Sequence, residues 1–118
     1  MKFTKTHEWI EVINGQGIVG VTNYAQKELG DIVYVELPKV GKQVKKGEEA
    51  VVLESTKAAA DVYSPVSGTI TEVNTTLSER PEQVNLSSEK EGWLYKLTLS
   101  NAQEYDALMD VDAYTKTI

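Results

Sequence analysis

The stretch VVLESTKAAADVYSPVSGTITEV, Val51 to Val73, decides how the chain reads. Two largely apolar runs, Ala50 to Leu53 and Ala58 to Val62, flank the polar step Glu54-Ser55-Thr56-Lys57, which is the pattern of an antiparallel hairpin with an exposed turn. Turn signals recur on both sides at short intervals: Gly41, Gly47, the Ser55 to Lys57 cluster, Pro65 and Gly68. A helix cannot run through those breaks, so the centre of the chain predicts several short strands. These pack as a compact β-sandwich or flattened barrel whose sheets share one core. Within that centre, Val44 to Glu54 and Val66 to Val73 are similar enough to pair as halves of one sandwich.

Lys57 stands at or beside the tip of the predicted hairpin, among Ser55, Thr56, Ala58, Ala59 and Ala60. A lysine on a turn is ordinarily only solvated charge. Small neighbours, however, lower the steric barrier to another protein's active site closing over the amine, and they leave an attached group free to swing. The tight hairpin fixes where the amine is presented. That combination suits a modified carrier lysine, and neither Lys45 nor Lys46, the nearest upstream lysines, shares it. Pro65 and Gly68 read as fixing the next turn.

Towards the N-terminus, Glu8 to Val12 and Gly17 to Val21 read as strands, joined through Asn14-Gly15, a pair suited to the positive φ angles of a tight turn. The same region contains GQGIVG, Gly15 to Gly20, a literal match to a dinucleotide-binding fingerprint. Here the glycines overlap a hairpin instead of linking a strand to a helix, so the match is read as accidental. Asn23, with Gln26 three residues on, is expected to cap a short helix from Tyr24 to Leu29 that Gly30 stops. Asp31 to Leu37 reads as a strand ended by Pro38. Later, Pro81 predicts one helical turn through Val84, and Trp93 to Leu99 a strand. Ser100 or Asn101 caps a terminal helical region, and a last helix over Val111 to Ile118 follows Asp110 or Asp112.

A chain of 118 residues fits a single domain, 1–118, that buries roughly two thirds of its unfolded surface. Hydrophobic residues at 41% and charged residues at 25% make it too apolar for a disordered chain. The net charge of -6, with lysines scattered along the sequence, argues against nucleic acid or an anionic membrane as partner. The absence of cysteine excludes disulfides and thiol catalysis and is compatible with a reducing cytoplasm. The opening residues MKFTKTHEW lack a signal-peptide pattern, and uninterrupted apolar runs are no longer than Ala50 to Leu53, so neither secretion nor a membrane span is expected. With one histidine, no Gly-x-Ser-x-Gly and no convincing ligand cluster, there is little from which to build a catalytic centre or a metal site.

The segment ESTKAAADVYSPVSG resembles the lipoyl-attachment segment of the glycine cleavage H-protein family, with Lys57 at the modified position. The resemblance extends over nearly the whole chain: THEW at Thr6 to Trp9, GVTNYAQKELGDIVYVELP from Gly20 to Pro38, PEQVN at Pro81 to Asn85, and EGWLYK at Glu91 to Lys96. Biotinyl domains resemble this fold but usually place methionine on both sides of the lysine, whereas Lys57 lies between Thr56 and Ala58. Lipoyl domains of 2-oxoacid dehydrogenases usually have aspartate before the lysine and lack the THEW and EGW blocks. Two departures stand out: Ala60 where serine is frequent, and SSEKEGW without the tyrosine-glycine that often precedes the acidic-glycine-tryptophan block. The second bears on partner contacts.

The resemblance implies a mainly β, lipoyl/biotinyl-like barrel-sandwich hybrid with short peripheral and C-terminal helices. It implies lipoate in an amide on Lys57, on a monomeric cytoplasmic shuttle of glycine catabolism and one-carbon metabolism rather than an enzyme. In that family the oxidised lipoyl disulfide takes an aminomethyl group at a pyridoxal-phosphate-dependent glycine decarboxylase and carries it to a tetrahydrofolate-dependent aminomethyltransferase. Dihydrolipoyl dehydrogenase then reoxidises the arm, and lipoylation enzymes install it. An alternative role is an H-like relay that donates lipoate to other complexes. The loaded arm folds back into a cleft where Thr6, Glu8 and Asp61 match the residues near the cargo amine; without the resemblance, Thr6 is a strand start and the two acids are surface charges. His7 reads as a hydrogen-bonded structural residue, and Trp9 and Trp93 as core or cleft walls. Glu54 and Ser55 match residues by which lipoylation enzymes recognise the hairpin, or else merely solubilise the turn.

Overall fold

The computed structural model describes residues 1–118 and is built from two antiparallel sheets. Strands β1 (Lys2–Phe3), β2 (Glu8–Ile13), β3 (Gln16–Val21), β5 (Gln43–Val44), β8 (Gly68–Val73) and β9 (Tyr95–Leu99) form a six-stranded sheet in the order β1-β2-β3-β9-β8-β5. Strands β4 (Ile32–Glu36), β6 (Glu49–Ser55) and β7 (Ala59–Tyr63) form the second, in the order β4-β6-β7. The sheets stay open at their edges and do not close into a barrel. Between them lies one core of 16 buried side chains, including Val19, Leu53, Val62, Ile70, Tyr95 and Leu97.

The first hairpin follows from its turn. Asn14 and Gly15 both take positive φ, 53° and 77°, and Ile13 pairs with Gln16 across them. The fingerprint-like glycines serve packing: Gly20 pairs with Trp9, and a Cβ at Gly20 would lie 2.6 Å from the indole. No phosphate-binding loop exists here, because Gly17 and Gly20 are both strand residues.

Helix α1 runs over Asn23–Leu29 and is capped by Thr22, not by Asn23 as expected. Thr22 follows β3 with an extended backbone, so its hydroxyl accepts the Ala25 N–H (3.3 Å), while Asn23 Oδ1 accepts from Gln26 Nε2 (2.8 Å). Two other expectations move. The turn near Pro81 resolves into α3 (Gln83–Leu86), with Pro81 and Glu82 forming the bend before it, and is preceded by an unanticipated α2 (Thr76–Glu79). Strand β9 starts at Tyr95, two residues later than expected, and Trp93 packs against the small cluster of Phe3, Trp9 and Tyr114. Asn101 caps α4 (Ala102–Asp106) and Asp110 caps α5 (Val111–Thr115), each side chain accepting a first-turn N–H.

The expected pairing of Val44 to Glu54 with Val66 to Val73 holds only at its start. Val44 pairs with Gly68 in the larger sheet, but the turn at Gly47, with φ 83°, sends residues 49–55 into the smaller one.

Candidate functional site

The β6–β7 hairpin holds Lys57 at its tip. Glu54 pairs with Ala59 and Leu53 with Ala60, and Ser55 closes the turn by donating its N–H to the Ala58 carbonyl (2.8 Å). The Ser55 hydroxyl accepts the N–H groups of both Lys57 and Ala58, each at 3.1 Å, and donates to the Ala58 carbonyl. Ser55 therefore builds the turn that presents the lysine, beyond the surface roles expected of it. Glu54 is exposed beside it, and Lys57 is exposed without an ion pair.

The hairpin tip leans on the end of α1. Thr56 donates its N–H to the Asp31 carbonyl (3.0 Å), and the Lys57 side chain lies over Gly30. Gly30 has φ 84° and ψ -161°, a region open essentially to glycine alone. A Cβ there would stand 3.2 Å from Lys57 Cε. Asn85, from α3, locks this junction: its Nδ2 donates to the Gly30 carbonyl (2.8 Å) and to Gln26 Oε1 (3.0 Å), and its Oδ1 accepts the Ile32 N–H (2.8 Å). The sequence marked Gly30 only as a helix stop and Asn85 only as part of a block, because their partners lie far along the chain.

Between α1 and β7 opens a cleft of about 330 Å³, lined on one side by Tyr24, Ala25, Glu28 and Leu29 of α1 and on the other by Ala60, Asp61 and Val62 of β7. Thr6, His7 and Glu8 complete it, so the structure brings together all three predicted cleft residues. Glu8 is not a surface charge. It is 2% exposed, one carboxylate oxygen accepts from the hydroxyls of Thr4 and Thr6, and the other accepts the Tyr63 N–H (3.2 Å). Asp61, by contrast, is exposed, and its carboxylate accepts no hydrogen bond. His7, at φ 72°, hydrogen-bonds through Nδ1 to the Tyr114 hydroxyl (2.8 Å) and packs on Tyr24, in keeping with a structural role. Trp9 and Trp93 belong to the small core cluster with Phe3 and Tyr114 and do not wall the cleft. Two larger depressions, of about 590 and 680 Å³, lie elsewhere and share no lining residue with this cleft.

An exposed lysine at a hairpin tip, a neighbouring cleft with apolar lining and a buried carboxylate in that cleft form one arrangement that can receive a cationic group. The glycine cleavage H-protein family profile matches residues 1–118. The chain is 53% identical to the glycine cleavage system H protein of Thermotoga maritima, over 96% of this chain and 91% of that protein. It is also 53% identical to the one from Stenotrophomonas maltophilia, over 100% and 91%. The crystal structure of the Mycobacterium marinum glycine cleavage system H protein superposes with a TM-score of 0.90 at 35% identity, covering 98% of this chain and 93% of that one. Match over the full length, the shared fold and the hairpin-and-cleft geometry lead to one conclusion: the chain belongs to the glycine cleavage H-protein family.

Proposed function

We propose that this protein carries lipoate in an amide linkage on Lys57 and shelters the loaded end of that arm in the cleft lined by Thr6, Glu8 and Asp61. As a glycine cleavage H protein it is a carrier that shuttles intermediates and not itself a catalyst. The observation that carries the site assignment is the juxtaposition at Gly30: the Lys57 stalk rests where α1 ends, beside the cleft that holds buried Glu8. The residues fit the group. Thr56, Ala58 and Ala59 leave the amine open to an acylating enzyme, and the cleft volume of about 330 Å³ lies at the lower end of the range for small-molecule sites, roughly 300–1,000 Å³.

When bound, lipoate supplies the disulfide and thiol chemistry that picks up an aminomethyl group. The chain's own residues do the rest. The hairpin presents the arm, the apolar walls exclude water from a labile cargo, and Glu8 and Asp61 offer negative charge to its ammonium group. The partners that follow are glycine decarboxylase, the tetrahydrofolate-dependent aminomethyltransferase, dihydrolipoyl dehydrogenase and the lipoylation enzymes, which read Glu54 and Ser55 beside the lysine. No helix is long and apolar enough to cross a membrane. The proposed setting is the cytoplasm, and the proposed working unit is the monomeric domain 1–118.

Mass spectrometry of protein from its natural host tests the assignment. A lipoyl group on the peptide spanning Lys57 and on no other lysine is expected. A bare Lys57 ends the carrier reading for this site, and a lipoyl group on Lys45 or Lys46 overturns the placement.

A further inference from the structure

The cleft is tied to the far end of the chain through one phenol. Tyr114 on α5 stacks on Phe3, with ring centroids 4.8 Å apart and planes 9° from parallel, and is 4% exposed. Its hydroxyl lies between His7 Nδ1 (2.8 Å) and Thr22 Oγ1 (2.7 Å). His7 lines the cleft, and Thr22 caps α1, the helix that forms the facing wall. One side chain from the last helix thus joins the α1 wall to the Thr6–Glu8 segment that completes the cleft.

Proton bookkeeping gives this link a direction. Thr22 Oγ1 accepts the Ala25 N–H, so its lone hydroxyl proton is free to go to Tyr114, and the Tyr114 proton then goes to His7 Nδ1. In that order both hydroxyl protons are used, and the imidazole carries its own proton on Nε2. The reverse order, from His7 Nδ1–H through Tyr114 to Thr22, leaves the Thr22 proton without an acceptor at a residue only 1% exposed. Burial pushes the Tyr114 phenol above its ordinary range, the Thr22 hydrogen bond opposes this, and Glu89, Tyr24 and Glu8 add to the rise. The phenol therefore remains a donor throughout the neutral range.

We propose that Tyr114 is a positioning residue of the cleft: supplied with a proton by Thr22, it holds His7 as the Nε2–H tautomer and fixes the spacing between α1 and the Thr6–Glu8 segment, two of the sides that enclose the cargo. Tyr114 touches no cargo itself. The inference rests on the carrier reading for its effect on cargo, but its hydrogen-bond geometry does not.

The chain has one histidine, so long-range proton–nitrogen NMR of the ring reports on His7 alone. In the unlipoylated protein, Nδ1 is expected as an unprotonated nitrogen shifted by an accepted hydrogen bond. Tyr114→Phe, which keeps the ring stack, should remove that shift. Lipoylated protein is then reduced with a phosphine and loaded with formaldehyde and ammonia. A thiol, formaldehyde and ammonia form the S–CH₂–NH₂ group with loss of water, and the return to thiol is the same reaction reversed. Loss of one buried hydrogen bond should shorten the loaded lifetime about two- to tenfold, with lipoylation unchanged. Thr22→Val should act in the same direction and Thr22→Ser should restore it, a pair that decides the matter if Tyr114→Phe folds poorly. A proton on Nδ1 in the native protein overturns the proposal, as does a Tyr114→Phe or Thr22→Val lifetime equal to that of the native protein. A bare Lys57 in the natural host overturns the carrier reading instead and leaves the NMR result standing.

Discussion

Glu8 and Asp61 carry the same charge into one cleft from opposite extremes of exposure, and their substitutions should differ accordingly. Glu8 is 2% exposed and accepts hydrogen bonds from Thr4, Thr6 and the Tyr63 backbone. Glu8→Gln places an amide among donors and should cost about 1.5–3 kcal/mol of stability, the range for hydrogen bonds to a charged group. Urea denaturation measures this directly. Asp61 is exposed, so Asp61→Asn should change stability by no more than about 0.5 kcal/mol. Both should shorten the lifetime of the loaded arm, Glu8→Gln by more, because its charge acts where water screens it less. Equal lifetimes in both variants and the native protein would reduce these residues to ordinary carboxylates. The residue types of the site were legible in THEW and in the segment after Lys57. The burial of Glu8 was not, because it depends on Tyr63, 55 positions away.

At the scale of the element, the hairpin and the helix end beneath it are read from short-range signals, yet their fit is not. Gly30 is the clearest case. Its positive φ serves the helix stop, while its missing side chain serves Lys57. Gly30→Ala should destabilise the fold by about 1–3 kcal/mol through backbone strain alone. It should also displace the lysine stalk, visible as changed Lys57 side-chain resonances and a lower melting temperature. Ser55→Ala removes the acceptor for two turn N–H groups and should cost about 1 kcal/mol. Hydrogen exchange at the Lys57 and Ala58 amides should accelerate while the sheet amides stay protected; unchanged exchange would mean that the turn holds without the hydroxyl. The capping of α1 shows why local signals slip by a residue. Both Thr22 and Asn23 are good caps, and the extended end of β3 gives the position to Thr22.

For the whole molecule, the shared core sets the response to pH. Tyr95 lies at its centre with a hydroxyl that meets no hydrogen-bond partner; the neighbouring Ser64 hydroxyl donates to the Val66 carbonyl (2.7 Å). Burial holds the Tyr95 phenol well above its ordinary range, and the charge of Glu8 adds to the rise. A phenol harder to ionise folded than unfolded contributes stability fully present below about pH 10, the ordinary tyrosine value, and lost as pH rises beyond it. Denaturant midpoints should therefore fall as pH rises from about 10 to about 12, less steeply in Tyr95→Phe. At neutral pH the same variant should be as stable as the native protein or more so, by up to about 1 kcal/mol, since it removes an unpaired buried hydroxyl. A loss of more than that would reveal a partner for the phenol. The sequence by itself determined the β-rich class and the Asn14-Gly15 and Lys57 hairpins, because turn chemistry and two-residue alternation act over a few neighbouring residues. Only the tertiary structure decided that the sheets stay open, that residues 49–55 leave the sheet Val44 joins, and that Glu8 is buried. It alone brought Gly30 under Lys57 and Tyr114 against His7, 107 positions away. These are contacts between distant segments, set by how two apolar faces and their connections close on one core, and no local pattern encodes that closure.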